Sequence, residues 1–304
     1  MSELSAAPET QPAAPQPWTT WSLCAVVLAI AIGIQLDGGD QAAVRWGWRP
    51  ALDVWSGKSW ALVTSSLVHV ELLHLVFNLY WLWVLGRSVE RVLGPVRLAG
   101  LVLASALVSS AGQLAWGDET GIGFSGVGYA LFGFAWVLSS HRRDLGIEVS
   151  RQTVRLFGIW LLFGMFATYA GLVNFGNAAH LIGGMFGICA GFTFIDRWRR
   201  AALTGIGALL MSAALVSVWA PWSPTWNAAR AFSAYHRGDY RSAADWLDRS
   251  LRRGGNAAWI AETKAIVHWR AGERNEAQAD IDALRRIDAK RAERFERKLH
   301  GEGK

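Results

Sequence analysis

The sequence predicts an all-α protein, built as a polytopic membrane helix bundle followed by a small soluble α-helical repeat region. Three observations carry that expectation. Apolar residues make up 52% of the 304, above the usual share of a soluble domain. They gather into runs close to the ~20 residues a helix needs to cross the hydrocarbon. Charge is scarce between 20 and 222 and dense from 227 to the end, so the membrane body comes first and the soluble part second.

In chain order, residues 1–18 are rich in Pro, Ala and Gln and lack the basic start of a secretory signal, which predicts a disordered tail. Seven apolar runs follow, at 20–36, 62–85, 97–116, 124–140, 155–173, 178–196 and 203–220. The fourth and sixth are short and glycine-rich, as expected of central helices shielded by longer neighbours. Residues 37–61 carry Trp46, Trp48, Trp55 and Trp60, an aromatic density that suits the membrane interface. Arginines gather between runs two and three, between four and five, and after six. The bias of basic loops toward the cytoplasm then sets the amino terminus inside and, with seven spans, the C-terminal region outside. The net charge of +6 belongs to these loops and the tail, and gives a nucleic-acid partner little support. Cys24 and Cys189 lie within apolar runs and read as small hydrophobes with no disulfide framework.

The tail repeats itself at a spacing of 34 residues. Tyr235 to Asp239 aligns with Trp269 to Glu273, Ala231 with Ala265, Ala243 with Ala277, and Leu247 with Ile281. A 34-residue period with glycine between two helices resembles the tetratricopeptide repeat over about 226–288. Residues 285–300, rich in Arg and Glu, read as a solvated capping helix. Paired-helix repeats usually present a binding groove, so a protein partner is expected there. A plain pair of amphipathic helical hairpins is the alternative.

Polar residues inside the apolar runs are the candidates for chemistry, because such groups are costly at membrane depth and face an interior or a water-filled cavity. Ser125 heads the fourth run within Gly121-Ile-Gly-Phe-Ser-Gly-Val-Gly-Tyr129. A serine is a poor nucleophile until a base takes its proton, and His180 in the sixth run is the base at hand. No acidic residue stands near His180, which predicts a Ser–His dyad in place of a triad. His74 and Asn78, one helical turn apart in the second run, are positioned to supply oxyanion donors beside the Ser125 backbone N–H. Tyr129, four residues after Ser125, lies on the same helix face and is expected to pack against the imidazole. Gly183 and Gly187 repeat every fourth residue behind His180 and Gly126 thins the facing helix, which predicts close approach of the two helices. His69 belongs to the same polar set, and the sequence leaves open whether it takes part in the chemistry or only caps the entrance. His141, His236, His268 and His300 have no ligand-like spacing, so neither a metal site nor a cofactor is expected.

These residues together carry a family resemblance. His69-x4-His74-x3-Asn78, then Gly123-Phe-Ser125-Gly126 with Tyr129, then Ala179-His180-x2-Gly183-x3-Gly187 looks like the rhomboid intramembrane serine proteases, over about residues 20–196. Gly86, Glu90 and Gly94 resemble the family's Gly…Glu…Gly stretch. The resemblance implies a rhomboid-like six-helix core at 19–200, and a seventh transmembrane helix at 201–222 matches a known variant of the family; the repeats, read from the 34-residue spacing, take 226–300. It implies Ser125 as nucleophile, His180 as base, and His74 and Asn78 as oxyanion donors. The activity implied is cleavage of peptide bonds in or next to transmembrane segments of substrates held in the lipid bilayer, at a bacterial inner membrane. One departure stands out: Trp60-Ala61 occurs where the family usually has Trp-Arg. A catalytically inactive relative that only binds transmembrane segments is the alternative, although such proteins typically lose the serine or the histidine.

Overall fold

A computed structural model describes residues 16–173 and 175–301. The expected disordered tail, residues 1–18, lies outside the described residues as far as residue 15, and Trp18 already opens the first helix. Among the described residues there are helices and turns but no strand. The apolar part of the chain comprises α1 (Trp18–Leu36), α2 (Leu72–Leu93), α3 (Pro95–Gly117), α4 (Ser125–His141), α5 (Arg151–Tyr169), α6 (Asn177–Phe192) and α7 (Asp196–Val216). Four of these, α1, α2, α3 and α7, are long and apolar enough to cross a membrane by length and composition alone. Apolar α6 has 16 residues, and α4 has 17.

The second apolar run does not form one helix as expected. It breaks into a short helix at Ala61–Thr64, a 3-10 turn at Ser65–Leu67 and an extended stretch, and α2 begins only at Leu72. His69 is therefore a loop residue. The physical reason is the tertiary bonding of this loop, described below, which competes with helix formation and leaves no signature in hydropathy. Within α2 the chain takes a π-turn at Leu82–Gly86. Glu90, buried near its end, accepts from the Thr19 N–H (2.8 Å), the Thr20 N–H (2.8 Å) and the Thr20 hydroxyl (2.7 Å). The carboxylate thus satisfies donors that the first turn of α1 leaves free. Gly94, at φ +74°, ends α2, and Pro95 starts α3 at the position where a missing N–H costs nothing.

The core sits around α4. Phe124, Leu131, Phe134 and Leu138 are fully enclosed and pack against Val27 of α1, Leu82 of α2 and Leu98 of α3. Outward faces are apolar as well: Ile159, Leu162 and Phe166 of α5, and Leu203, Met211 and Leu215 of α7, are all more than half exposed. An all-round apolar surface of this kind is stable against lipid and costly against water.

Beyond α7 come α8 (Pro224–His236), α9 (Tyr240–Arg252), α10 (Ala257–Ala271), α11 (Arg274–Ile287) and α12 (Ala289–Gly301). Ser223, Asp239 and Asn256 cap α8, α9 and α10 through their side chains. Gly238 (φ +76°) and Gly272 (φ +83°) turn the chain between the members of the two hairpins, α8/α9 and α10/α11, 34 positions apart. Ala231, Ala243 and Leu247 are buried in the first hairpin, and Ala265, Ala277 and Ile281 in the second. The final helix α12 closes the second hairpin with Ala292 and Phe295.

Candidate active site

Ser125 is the first residue of α4, where the backbone N–H has no acceptor within the helix. His180 lies in the first turn of α6 and is 9% exposed. The structure brings them together: the Ser125 hydroxyl stands 2.8 Å from His180 Nε2. A hydroxyl donating to Nε2 requires the proton on Nδ1. His180 Nδ1 is buried and, among the described residues, has no hydrogen-bond partner and no acidic group behind the ring. Tyr129 packs against the ring instead. Its ring stacks on the imidazole at 4.7 Å between centroids and 17° between planes, and its hydroxyl donates to the Phe157 carbonyl of α5 at 3.0 Å.

Glycine makes the approach possible. A Cβ on Gly183 would fall on the Gly126 carbonyl, and one on Gly187 would fall on the Ala130 carbonyl. Gly126 in turn leaves room for the Ser109 side chain of α3, whose hydroxyl oxygen would be 2.6 Å from an added Cβ. Backbone meets backbone along the α4/α6 seam, the close packing that small residues allow between membrane helices.

The loop ahead of Ser125 is held by the broken second run. His69, buried to 1% exposure, accepts the Phe124 N–H at Nε2 (3.2 Å), and its Nδ1 faces the Leu67 carbonyl at 3.2 Å. Accepting at Nε2 fixes the tautomer, with Nδ1 donating. The Gly123 N–H donates to the Ser65 carbonyl at 3.2 Å. Gly123 has φ +98°, and a Cβ there would enter the His74 ring, so glycine is needed on both counts. His74 and His69 lie 5.1 Å apart between ring centroids. His74 is half-buried beside this loop. Asn78 is buried, with its amide donating to the His74 carbonyl at 2.9 Å; one further N–H of that amide remains.

Gln113 and Asp118, which tie the elements of the site together, have no site role in the sequence reading, whereas Asn177 is already conspicuous there as a polar residue beside His180 at the sixth apolar run. Gln113 of α3 is buried, and its side-chain oxygen accepts from the Ala179 N–H at 3.3 Å, pinning the start of α6. Asn177 donates to the Gly164 carbonyl (3.2 Å) and the Thr168 hydroxyl (2.8 Å), tying α6 to the end of α5. Asp118 accepts from the Ser223 hydroxyl, the Thr225 hydroxyl (2.6 Å) and the Thr225 N–H (3.1 Å), joining the same loop to the start of α8. A buried glutamine within a small-residue run, and an acidic residue just past a helix-ending glycine, were the available signals. No group of three or more metal-ligating side chains occurs among the described residues.

Residues 56–197 match the Rhomboid domain. The chain is also similar to the rhomboid protease GlpG of Yersinia pestis (strain Pestoides F) and of Yersinia pseudotuberculosis serotype O:3 (strain YPIII). In each case it is 34% identical over 172 residues, which cover 56% of this chain and 61% of the relative. GlpG of Yersinia pseudotuberculosis serotype I (strain IP32953) matches with the same identity and coverage. These matches support the rhomboid family. With the apolar helices they indicate an integral membrane protein. The chain spans about three-fifths of the length of the GlpG relatives. Ser125, His180, His74, Asn78 and Tyr129 all fall inside the segment that matches the rhomboid domain, whereas α8 to α12 lie beyond it.

Proposed function

We propose that the protein is an intramembrane serine endopeptidase acting on peptide bonds in or next to transmembrane segments, with Ser125 and His180 as a catalytic dyad. The observation that carries this reading is the 2.8 Å contact between the Ser125 hydroxyl and His180 Nε2 among apolar helices. In the reaction, Ser125 Oγ attacks the scissile carbonyl carbon while its proton passes to His180 Nε2. The developing oxyanion takes hydrogen bonds from the Ser125 N–H, His74 and the remaining N–H of Asn78. The imidazolium then protonates the leaving amine, and a water activated by His180 hydrolyses the acyl-enzyme, releasing the acid and restoring the serine. With no carboxylate behind His180 among the described residues, the stacked Tyr129 ring holds the imidazole plane.

The domain reading that accompanies this is a rhomboid-like core at 19–200, a seventh span at 201–222 and tetratricopeptide-like repeats at 226–300. The amino terminus is cytoplasmic and the repeats extracytoplasmic, at the plasma membrane of a bacterium. Gly238 and Gly272, 34 residues apart at matching turns, support the repeats. As a working assignment, the repeats engage a protein partner or a region of the substrate outside the bilayer.

The test is labelling of the purified full-length protein by a fluorophosphonate probe, with cleavage of a fluorescent transmembrane substrate alongside. Ser125→Ala should abolish labelling and reduce cleavage by several orders of magnitude, as removal of one member of such a pair does. Cleavage at the parent rate in that variant would refute the dyad. Absence of labelling in the parent would favour an inactive, segment-binding protein.

A further inference from the structure

At the end of α4 away from Ser125, a cleft of about 500 Å³ opens between the last turns of α4 and the first turns of α5. Trp136, Ser139 and Arg143 line it from one side, and Arg151, Val154 and Arg155 from the other. At 1.5 Å per residue this lies ~25 Å along the helix from Ser125, a distance close to the thickness of the hydrocarbon.

The charge arrangement there is unfavourable as it stands. Arg143, Arg151 and Arg155 are exposed, and none makes an ion pair or side-chain hydrogen bond among the described residues. On the connecting loop Asp144 is engaged by Arg142 at 2.7 Å, and the exposed Glu148 forms no ion pair with any of the three arginines. Two of the three arginines also stand in the first turns of α5, which carry no acidic residue there. Cations at a helix N-terminus oppose the helix dipole, and an anion in the cleft would remove that conflict. The wall between the guanidiniums is apolar or amphipathic: Val154 is partly buried and Trp136, 40% exposed, is the ring type that settles at headgroup depth.

We propose that this cleft binds the phosphate headgroup of an anionic phospholipid. Basic pockets between membrane helices at the polar boundary are suited to such headgroups, and arginine forks match phosphate oxygens. The apolar wall and Trp136 lead toward the acyl region, which a small soluble phosphate would not use. The inference rests on the bilayer setting and is independent of the hydrolase reading.

The experiment is native mass spectrometry of the full-length protein in detergent, titrated with phosphatidylglycerol or phosphatidylcholine. The parent should retain phosphatidylglycerol in preference to phosphatidylcholine. Each arginine near an anionic headgroup is worth about fivefold, so R143Q/R151Q/R155Q should bind phosphatidylglycerol roughly a hundredfold more weakly. A charge-matched control, R286Q/R294Q/R297Q, removes arginines from α11 and α12 and should bind as the parent does. Should the triple variant fail to fold, Arg151→Gln alone should still show a loss of about fivefold. Undiminished phosphatidylglycerol binding by the cleft variants would overturn the proposal. So would displacement of the lipid by glycerol 3-phosphate at equal concentration, which would assign the cleft to a soluble phosphate, or by an acidic peptide, which would assign it to a protein segment.

Discussion

Replacing Gly187 with alanine adds one methyl group at the tightest point of the α4/α6 seam. That carbon would lie 2.6 Å from the Ala130 carbonyl carbon and 2.7 Å from its Cα, with the carbonyl oxygen nearer still. Carbon atoms rest at ~3.5 Å or more, so relieving the carbonyl carbon alone takes about 0.9 Å of separation, and relieving the nearer oxygen takes more than about 1 Å. If the shift reaches the first turns, the Ser125–His180 contact of 2.8 Å stretches beyond hydrogen-bond range. Misplacement by about 1 Å costs roughly a hundredfold in rate, and overpacking costs ~1–3 kcal/mol in stability. The assay is the rate of fluorophosphonate labelling together with thermal unfolding in detergent. Gly184→Ala is the control, because its nearest neighbour would be Tyr129 at 3.9 Å. Relief of glycine's helix penalty, about 1 kcal/mol, should leave that variant neutral or slightly stabilised. If Gly187→Ala labels and melts like Gly184→Ala, backbone contact between the helices does not set the site geometry.

Tyr129→Phe keeps the ring on His180 and loses only the bond to Phe157, so labelling should change less than threefold or so while stability falls by about 1 kcal/mol. Tyr129→Leu removes the stacking that replaces an acidic orienting group; labelling should fall about tenfold or more, and a wild-type rate would show that the ring does not hold the imidazole. Asp118→Ala strips the acceptor from Ser223 and Thr225 and should cost ~1–3 kcal/mol, read as earlier proteolysis in the 217–226 segment and a lower melting temperature.

How much of this was legible in the sequence depends on how local each feature is. Ser125, His180 and the Gly183/Gly187 spacing stand out because a hydroxyl, an imidazole and a four-residue glycine repeat are unusual within apolar runs, and helical periodicity alone puts them on shared faces. The break before α2 was hidden. Hydropathy runs through Val68 to Glu71 without a glycine or proline, and what ends the helical path there is His69 bonding to Phe124, 55 positions away. Gln113 and Asp118 were invisible for the same reason: their partners lie 66 and 105 to 107 positions along the chain. Asn78 was legible as a polar group on the correct face, but the direction of its amide, toward the His74 carbonyl, depends on rotamer and surroundings. Glu90 stands out in the sequence only within the Gly…Glu…Gly stretch, and its place at the start of α1 becomes visible only once α1 and α2 are side by side.

Segment 118–124 connects these separate observations. Three parts of the chain bind it: in the first, Trp48 donates to the Thr120 carbonyl at 3.2 Å, and the Thr120 hydroxyl donates to the Arg49 carbonyl. Ser65 and His69 take the N–H groups of Gly123 and Phe124, and Asp118 is clasped by Ser223 and Thr225. A hydroxyl that must meet an imidazole within a few tenths of an ångström needs neighbours locked by packing and hydrogen bonds. Here the lock is assembled from the interfacial loop, the broken second run and the helical region beyond α7. It follows that the C-terminal helices reach Ser125 through seven residues of bonded loop, with no need for direct contact. A load on α8 has a continuous mechanical route to the serine through Asp118.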